Sequence, residues 1–241
     1  MIITRHLPNL VTSIDLDEPD ANASLDALYR PHRGSWLSVN LVASVDGAAR
    51  GSDGTSSTLT RGADRRILGS IRRNSSVVLV GAATVRAEGH LFPRSTNLAV
   101  ATQSGDLTGH VFSPDLAPGR LIVVCPASAV PAVHSTLGDV PATILDIEAT
   151  TVSPHDLIGA LRGHGCDTIV CEGGPSLAAQ LIDANLVDEL CLTTSPLIAG
   201  SRSSALHALP VSHRHELELG QLLTDSTGSV YARWMFSERS H

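Results

Sequence analysis

The sequence predicts one α/β domain, with a mainly parallel sheet flanked by helices and an antiparallel hairpin at its C-terminal end. Three observations predict this class. Short runs of branched aliphatic residues are typical of strands that are buried on both faces. These runs alternate with segments whose apolar residues recur at helical spacing. The last 25 or so residues read as strand, turn and strand, which indicates a hairpin.

The first elements follow a polar, acidic stretch. Residues 1–34 contain one possible short helix, around "ASLDALYR", and we expect them to form an N-terminal arm. The first strong strand is "WLSVNLVASVDG", residues 36–47, and a Gly/Ser/Thr-rich loop follows it. The segment "GADRRILGSIRRNS" has apolar residues at helical spacing with Arg on its other faces. The run "VVLVG", residues 77–81, predicts a buried strand.

Strands and helices then alternate to the end of the chain. Ser153 is placed to cap the helix "PHDLIGALRGHG", and Pro154 suits the first helical position. A further helix is predicted in "SLAAQLIDANL", and the terminal hairpin turns at "DSTGS". The other predicted strands are "NLAVATQ", "RLIVVCP", "PATILDI", "DTIVCEGG" and "DELCLTTSPLIAG".

The composition excludes several classes of protein. Of 241 residues, 42% are hydrophobic and 17% are charged, which is typical of a globular chain with its own core. The net charge of -7 and the lack of a clustered basic face argue against a nucleic-acid partner. No segment resembles a signal peptide or reaches the length of a membrane span, so we expect a cytoplasmic protein without a membrane partner.

The cysteines predict neither a disulfide nor a metal site. None forms a C-x-x-C pair, and most lie in or beside apolar runs, where a free thiol behaves as a small hydrophobic residue. We therefore expect reduced, structural cysteines and no bound metal. The four are Cys125, Cys166, Cys171 and Cys191.

Glycine follows two of the predicted strands, in "VVLVGAATVRAEG" and in "IVCEGGPSL". Open α/β sheets bind ligands beyond the carboxyl ends of their strands. Glycine permits close approach of a ligand to the backbone, and the amides at a helix N-terminus favour an anion. Two such turns suit the two ends of a dinucleotide, although glycine needed only for packing is the alternative for each turn. The usual G-x-G-x-x-G fingerprint is absent.

Four segments together carry a family resemblance: "NLVASVDGAA", "SSTLTRGADRR", "VLVGAATVRAEG" and "IVCEGGPSLAAQLIDANLVDELCLTTSPLIAG". In their order and spacing, over about residues 36–236, they resemble the reductase domain of bacterial riboflavin biosynthesis. The resemblance implies a three-layer, dihydrofolate-reductase-like domain in residues 35–241. It also implies that NADPH reduces the ribosyl group of 5-amino-6-(5-phosphoribosylamino)uracil to ribityl.

The resemblance further implies a stand-alone enzyme and a dimer. The deaminase signature H-x-E…P-C-x-x-C, which precedes this domain in many bacteria, does not occur in the sequence. Members of the family are often dimers, so we expect a homodimer whose interface includes the C-terminal strands. The expected partner is a small phosphorylated pyrimidine substrate.

The resemblance assigns roles to individual residues. Ser128, after the strand "LIVVCP", is the candidate contact for the 2′-phosphate of NADPH. The other implied cofactor-binding residues are Ser44, Gly47, Gly81, Ala83, Thr84, Val85, Gly173, Gly174, Pro175 and Ser176. The implied substrate-binding residues are Asn40, Ser56, Arg72, Leu91 and Arg94, with Arg72 suited to a phosphate because a guanidinium binds it bidentately. The candidate catalytic carboxylates, which would orient the sugar or assist opening of the ribose, are Asp46, Glu88 and Glu172.

The sequence departs from the family at three places. Asn40 stands where the family often has Lys, Thr58 where it often has Trp, and "AEGH" where it usually has Asp. These departures leave open a related NADPH reductase for another pyrimidine or a pterin such as dihydrofolate, or a non-catalytic dinucleotide-binding protein. For Asp46 the alternative is a turn aspartate that binds its own backbone, and for Arg72 it is a solvated helix arginine.

Overall fold

A computed structural model describes residues 1–8, 11–51, 54–88, 92–200 and 209–237. Its strands are β1 (Ile2–Leu7), β2 (Thr12–Asp15), β3 (Trp36–Ser44), β4 (Val77–Gly81), β5 (Asn97–Ala101), β6 (Leu121–Pro126), β7 (Thr143–Ile147), β8 (Thr168–Cys171), β9 (Glu189–Ser195), β10 (Leu217–Asp225) and β11 (Val230–Phe236). Its helices are α1 (Ala21–Leu28), α2 (Asp64–Arg73), α3 (Ala82–Glu88), α4 (Val130–Leu137), α5 (Pro154–Gly163) and α6 (Pro175–Asp183), with a 3₁₀ turn at Ala127–Ala129.

The strands of the described residues form one sheet in the order β2-β1-β10-β11-β9-β3-β8-β4-β5-β6-β7. Pairing is parallel from β9 through β3, β8, β4, β5 and β6 to β7, and antiparallel from β2 through β1, β10 and β11 to β9. The predicted fold class, a mainly parallel sheet with helices and a C-terminal hairpin, is therefore confirmed. The hairpin does not form the sheet edge, because β1 pairs with β10 on its outer side.

Helices cover both faces of the sheet and make two separate cores. Residues of α1, α2, α3 and α4 pack in one apolar cluster, and residues of α5 and α6 pack in the other. The predicted start of α5 is confirmed, since Ser153 and Asp156 form a reciprocal capping box with Pro154 at the first position. No helix in the described part of the chain is both long and apolar enough to span a membrane.

Residues 1–34, expected to form an N-terminal arm, contain β1, β2 and α1, and β1 pairs with β10 of the sheet. Ile3 of β1 and Leu25 of α1 are fully buried in the first core. The backbone carbonyl of Leu28 accepts a hydrogen bond from Arg233 of β11, whose Nε also donates to Glu189 at 2.8 Å. The sequence hides this docking because β1 and β2 alternate only weakly between apolar and polar residues.

The cysteines occupy the core, as expected. All four are buried and none forms a disulfide. Burial raises the pKa of the Cys171 thiol to about 12, so this thiol stays protonated and unreactive. The cysteines are therefore packing residues.

Candidate active site

The carboxyl ends of β3, β8 and β4 meet at one edge of the sheet, because β8 lies between the other two strands. Pairing continues beyond the strand ends: the Glu172 amide donates to Leu79 at 3.0 Å, and the Gly81 amide donates to Gly173 at 3.0 Å. These two hydrogen bonds fix the glycine turn after β4 directly beside the glycine turn after β8.

The turn after β8 places bare backbone at the start of α6. Gly173 has φ +97°, a conformation that favours glycine, and Gly174 is the N-cap residue, joined to Gly173 by a cis peptide bond. No side chain in the described residues caps α6. A Cβ atom on Gly174 would lie 3.1 Å from the Thr84 hydroxyl oxygen. This contact is tighter than an ordinary van der Waals contact, so a side chain at Gly174 would force Thr84 to shift, and the helix N-terminus favours an anion there.

A cavity of about 130 Å³ lies against this turn. Seven residues that the sequence assigns to the site line it together, namely Asn40, Ser56, Arg72, Thr84, Glu172, Gly174 and Pro175. The register of β3 against β8 explains why Asn40 and Glu172 lie side by side in the cavity wall. Val39 lies opposite Cys171, so the next residue of each strand, Asn40 and Glu172, is at the same level. The remaining lining residues are Leu41, Val42, Ala49, Arg50, Thr60, Asp64, Leu68 and Ala87.

Arg72 and Glu172 form a bidentate ion pair in the cavity wall. Arg72 Nε donates to Glu172 Oε1 at 2.6 Å, and Nη2 donates to Oε2 at 2.5 Å. The two side chains are only 20% and 8% exposed, so Arg72 is not the solvated helix arginine of the alternative interpretation. The pair also changes the expected division of roles, because the guanidinium fork predicted to hold a phosphate is aimed at a carboxylate.

A second arginine lines the same cavity. Arg50 follows β3 and forms no ion pair with any other described residue. Within the described part of the chain, the two arginines therefore differ, since Arg72 is held by a carboxylate. A single arginine in a glycine- and serine-rich loop carries no local pattern, which is why Arg50 was not predicted from the sequence.

The helix α2 presents a stripe of residues to the cavity at intervals of four: Asp64, Leu68 and Arg72, with Thr60 one turn earlier. Asp64 is only 8% exposed, and burial raises the pKa of its carboxyl above the ordinary value although the hydroxyls of Thr193 and Thr60 hydrogen-bond to it. The spacing of four is visible in "TRGADRRILGSIR" and would have identified Thr60, Asp64 and Leu68 beside Arg72.

Asp46 lies outside the cavity wall and holds a loop. Its carboxylate accepts hydrogen bonds from the Ser44 hydroxyl at 2.5 Å and from the amides of Ala199 and Gly200 at 3.0 and 3.1 Å. These contacts, the Ser44 hydroxyl foremost, lower the pKa of Asp46 to about 2. Such an arrangement ties the segment after β9 to the turn after β3, and the predicted catalytic role of Asp46 stays a prediction.

The other predicted residues are spread around the same edge. Ser44 is buried and accepts a hydrogen bond from the Ala48 amide at 2.9 Å, while the side chain of Val85 packs in the core. Gly47 has φ +82°, in keeping with a tight turn. The exposed members of the set are Ala83, Arg94, Ser128 and Ser176. Glu88 is the last residue of α3, and only its backbone is among the described parts of the chain. Leu91 lies outside the described residues.

A larger open cleft of about 980 Å³ lies at the opposite end of the sheet, beside Trp36 at the start of β3 and Phe236 at the end of β11. Two of its arginines are already paired, Arg33 with Asp188 and Arg214 with a neighbouring glutamate. Neither glycine turn reaches this cleft. The smaller cavity, where the strand ends and the glycine turns meet, is therefore the candidate active site.

The fold defines an α/β protein with a mainly parallel sheet, and its candidate site lies at the carboxyl edge of that sheet, against two adjoining glycine turns. The chain belongs to the RibD C-terminal domain family, whose model matches residues 35–231. The family resemblance drawn from the four sequence segments is therefore confirmed.

Relatives and solved structures agree with this membership. The chain is 29% identical over 210 residues to the riboflavin biosynthesis protein RibD of Chlamydia pneumoniae, covering 80% of this chain and 55% of that protein. It is 25% identical over 193 residues to the 2,5-diamino-6-ribosylamino-4(3H)-pyrimidinone 5′-phosphate reductase of Archaeoglobus fulgidus, covering 70% of this chain and 84% of that protein. The chain thus spans about half the length of the RibD relative and most of the archaeal one.

Among solved structures, a pyrimidine reductase-like protein from Corynebacterium diphtheriae has the same fold, with a TM-score of 0.73, 20% identity, and coverage of 89% of this chain and 99% of that chain. The Saccharomyces cerevisiae riboflavin biosynthesis reductase Rib7 superposes with a TM-score of 0.61 and 16% identity, covering 90% of this chain and 100% of that chain. At these identities the likeness is one of fold.

Proposed function

We propose that the protein is an NADPH-dependent reductase that converts the ribosyl group of 5-amino-6-(5-phosphoribosylamino)uracil to ribityl. The observation that carries the proposal is a cavity, lined by carboxyl and guanidinium groups, that abuts two adjoining glycine turns in a member of this family. The archaeal relative is named for reducing a phosphorylated ribosylaminopyrimidine, which is the same chemical class of substrate.

The residues at the carboxyl edge fit a dinucleotide. The turn at Gly173 and Gly174 would hold the diphosphate, with Thr84 and the start of α6 beside it, because this backbone is bare and a Cβ on Gly174 would crowd the Thr84 hydroxyl. Ser128 lies in the 3₁₀ turn that follows β6 and is exposed for a 2′-phosphate. The strand β6 is three strand positions from β8, about 14 Å at ordinary strand spacing. When bound, NADPH supplies the hydride that the reduction needs.

For the substrate, we assign the phosphate to Arg50 and Ser56, since both line the cavity and Arg50 has no carboxylate partner in the described residues. Arg72 holds the Glu172 carboxylate in a fixed orientation toward the cavity, where it is placed to accept hydrogen bonds from sugar hydroxyls. Asn40, level with Glu172, adds a neutral donor and acceptor at the position where the family often has Lys. Leu91, Arg94 and Glu88 keep their predicted roles as proposals.

A cytoplasmic homodimer is part of the same proposal. The C-terminal strands β10 and β11 each have a neighbour on both sides, so they cannot add a strand from a second copy at their edges. A dimer that uses these strands would therefore pack through a face of the sheet. Sedimentation velocity of the protein tests the stoichiometry directly.

The activity is tested by following nicotinamide absorbance while NADPH is mixed with the phosphoribosylaminouracil or with dihydrofolate. We expect NADPH to be oxidised when the phosphorylated pyrimidine is present. If NADPH is oxidised with dihydrofolate and not with the pyrimidine, the alternative substrate class is established. Binding of NADPH without turnover of either compound would establish a non-catalytic protein.

The variant Arg50→Gln tests the contact with the substrate's phosphate. It should raise KM for the phosphorylated pyrimidine about 10- to 100-fold, the equivalent of one charge-assisted hydrogen bond. Arg214→Gln, at an arginine 86% exposed in the other cleft, is the matched control.

A further inference from the structure

Two carboxyl groups line the small cavity, and their surroundings differ. Glu172 faces the guanidinium of Arg72 in a bidentate ion pair. Asp64 is buried, with 8% of its surface exposed, and it forms hydrogen bonds with the neutral hydroxyls of Thr60 and Thr193. Among the described residues, Arg65 on the same helix is the charged group that acts on Asp64, and the other charged residues of the cavity wall are Arg50, Arg72 and Glu172. Pairs of carboxyls in such unlike settings divide into an acid and a base in many enzymes.

Asp64 does not cap its own helix. An acidic residue in the first turn of a helix ordinarily stabilises the positive end of the helix dipole from an exposed position. Here Asp64 is buried, and the amide of the N-cap residue Ala63 donates instead to Asp225 Oδ2 at 3.0 Å and to the Tyr231 hydroxyl at 2.9 Å. A buried carboxyl that lines a ligand cavity, and that does not cap its helix, is a candidate for chemistry.

We propose that Asp64, in its protonated form, is the general acid of this site and that it protonates the ring oxygen of the substrate's ribose. The inference rests on the proposed function and adds to it the group that opens the sugar. Asp64 stands one helical turn from Leu68 and two from Arg72 on the same face of α2, so it faces the cavity in which the sugar would sit beside Glu172.

Opening of the ribose conserves atoms and charge. The lone pair of the exocyclic nitrogen on the sugar's C1 forms a C=N bond, the bond from C1 to the ring oxygen breaks, and the oxygen takes the proton of Asp64. The products are an open-chain iminium and the Asp64 carboxylate. A bound NADPH would supply the hydride that reduces C1, the nitrogen would remain as a secondary amine, and Asp64 would regain a proton from solvent. Burial, which raises the pKa of the Asp64 carboxyl, favours the protonated form that the step consumes.

The test compares Asp64→Asn and Asp64→Glu with the native protein. Asn keeps the size of the side chain but cannot give up a proton in this way, so we expect kcat to fall about 100-fold or more, with NADPH affinity within twofold. Asp64→Glu keeps an acid and should retain clearly more turnover than Asp64→Asn. The native kcat/KM should decline at high pH with a limb that is absent from the Asn variant. Asp139→Asn, at an exposed position outside the cavity, is the control.

A second measurement needs no turnover. In the native protein the infrared band of a protonated carboxyl should persist to a higher pH than the band of ordinary aspartates, and this persistent part should be absent from Asp64→Asn. Equal kcat and pH profile in the native and Asn proteins, or no difference in this band, would overturn the assignment of Asp64. If the native protein fails to turn over the phosphoribosylaminouracil, the proposed function fails and the ribose-opening role falls with it. Native turnover with an unaffected Asn variant defeats only the role of Asp64.

Discussion

The ion pair between Arg72 and Glu172 gives the sharpest energetic prediction. Its two charge-assisted hydrogen bonds measure 2.6 and 2.5 Å between side chains that are 20% and 8% exposed. Removing one partner leaves the other charge shielded from water with nothing opposite it, which typically costs about 3–5 kcal/mol when the pair is fully buried. Because Arg72 retains some contact with solvent, we expect about 2–3 kcal/mol for Arg72→Met or Glu172→Gln.

Combining the two substitutions in a double variant measures the interaction free energy between Arg72 and Glu172, apart from their contacts with other residues. Once one partner is gone, removing the second relieves an unpaired charge, so the double variant should lose far less stability than the two single losses added together. We expect a coupling of about 2 kcal/mol, the upper part of the range for contacting residues. Each single variant should lower the melting temperature by about 4–12 °C, given about 2–4 °C per kcal/mol for a chain of this size.

Urea unfolding followed by tryptophan fluorescence measures these free energies, and the chain has two tryptophans to report the transition. The pair of Arg73, next to Arg72 in α2, and Asp26 in α1 is a matched control, because its side chains are 35% and 30% exposed at a separation of 2.7 Å. A pair at the surface should couple by about 1 kcal/mol or less. Single losses for Arg72 and Glu172 that add to within about 0.5 kcal/mol would refute the argument that the two form one buried unit.

Three further predictions concern other parts of the molecule. Gly174→Val should abolish NADPH binding in a titration, since its Cβ would lie 3.1 Å from a neighbouring hydroxyl, whereas Gly159→Ala, with open space around it in α5, should add about 0.5–1 kcal/mol of stability and bind normally. Asp46→Asn should make the free energy of unfolding fall less steeply in acid. The pKa of Asp46 is about 2 in the folded protein and 3.8 in the unfolded chain, so its carboxylate stabilises the native fold above pH 3.8, and this stabilisation is lost as the pH falls toward 2. Ser128→Ala should narrow the preference for NADPH over NADH.

Each of these has a clear contrary outcome. Unchanged NADPH affinity in Gly174→Val would mean that the turn after β8 does not contact the cofactor. Parallel acid-unfolding curves for native and Asp46→Asn protein would show that the loop contacts of Asp46 do not persist in solution. Equal affinity of the native protein for both cofactors would remove any role for Ser128 as a 2′-phosphate contact.

Local patterns were sufficient for most elements of the fold. The strands from β3 to β9 contain short runs of aliphatic residues, such as VVLV in β4 and LIVV in β6. Ser153 and Pro154 mark the capped start of α5, so neighbouring residues were enough to predict these elements. The same is true of the glycines after β4 and β8, whose position at strand ends already predicts a ligand site. Weakly alternating segments carried no such signal, which is why β1 and β2 were expected to be an arm.

By itself, then, the sequence determined the α/β class, the order of most elements, the family and the two glycine turns, because each depends on residues close together in the chain. Only the tertiary structure decided which side chains share the cavity. Arg72 meets Glu172 across 100 positions because β8 enters the sheet between β3 and β4, and Asp64 becomes a buried acid because α2 packs over that edge. Contact and burial of this kind arise from strand order and helix packing, which no short stretch of sequence encodes.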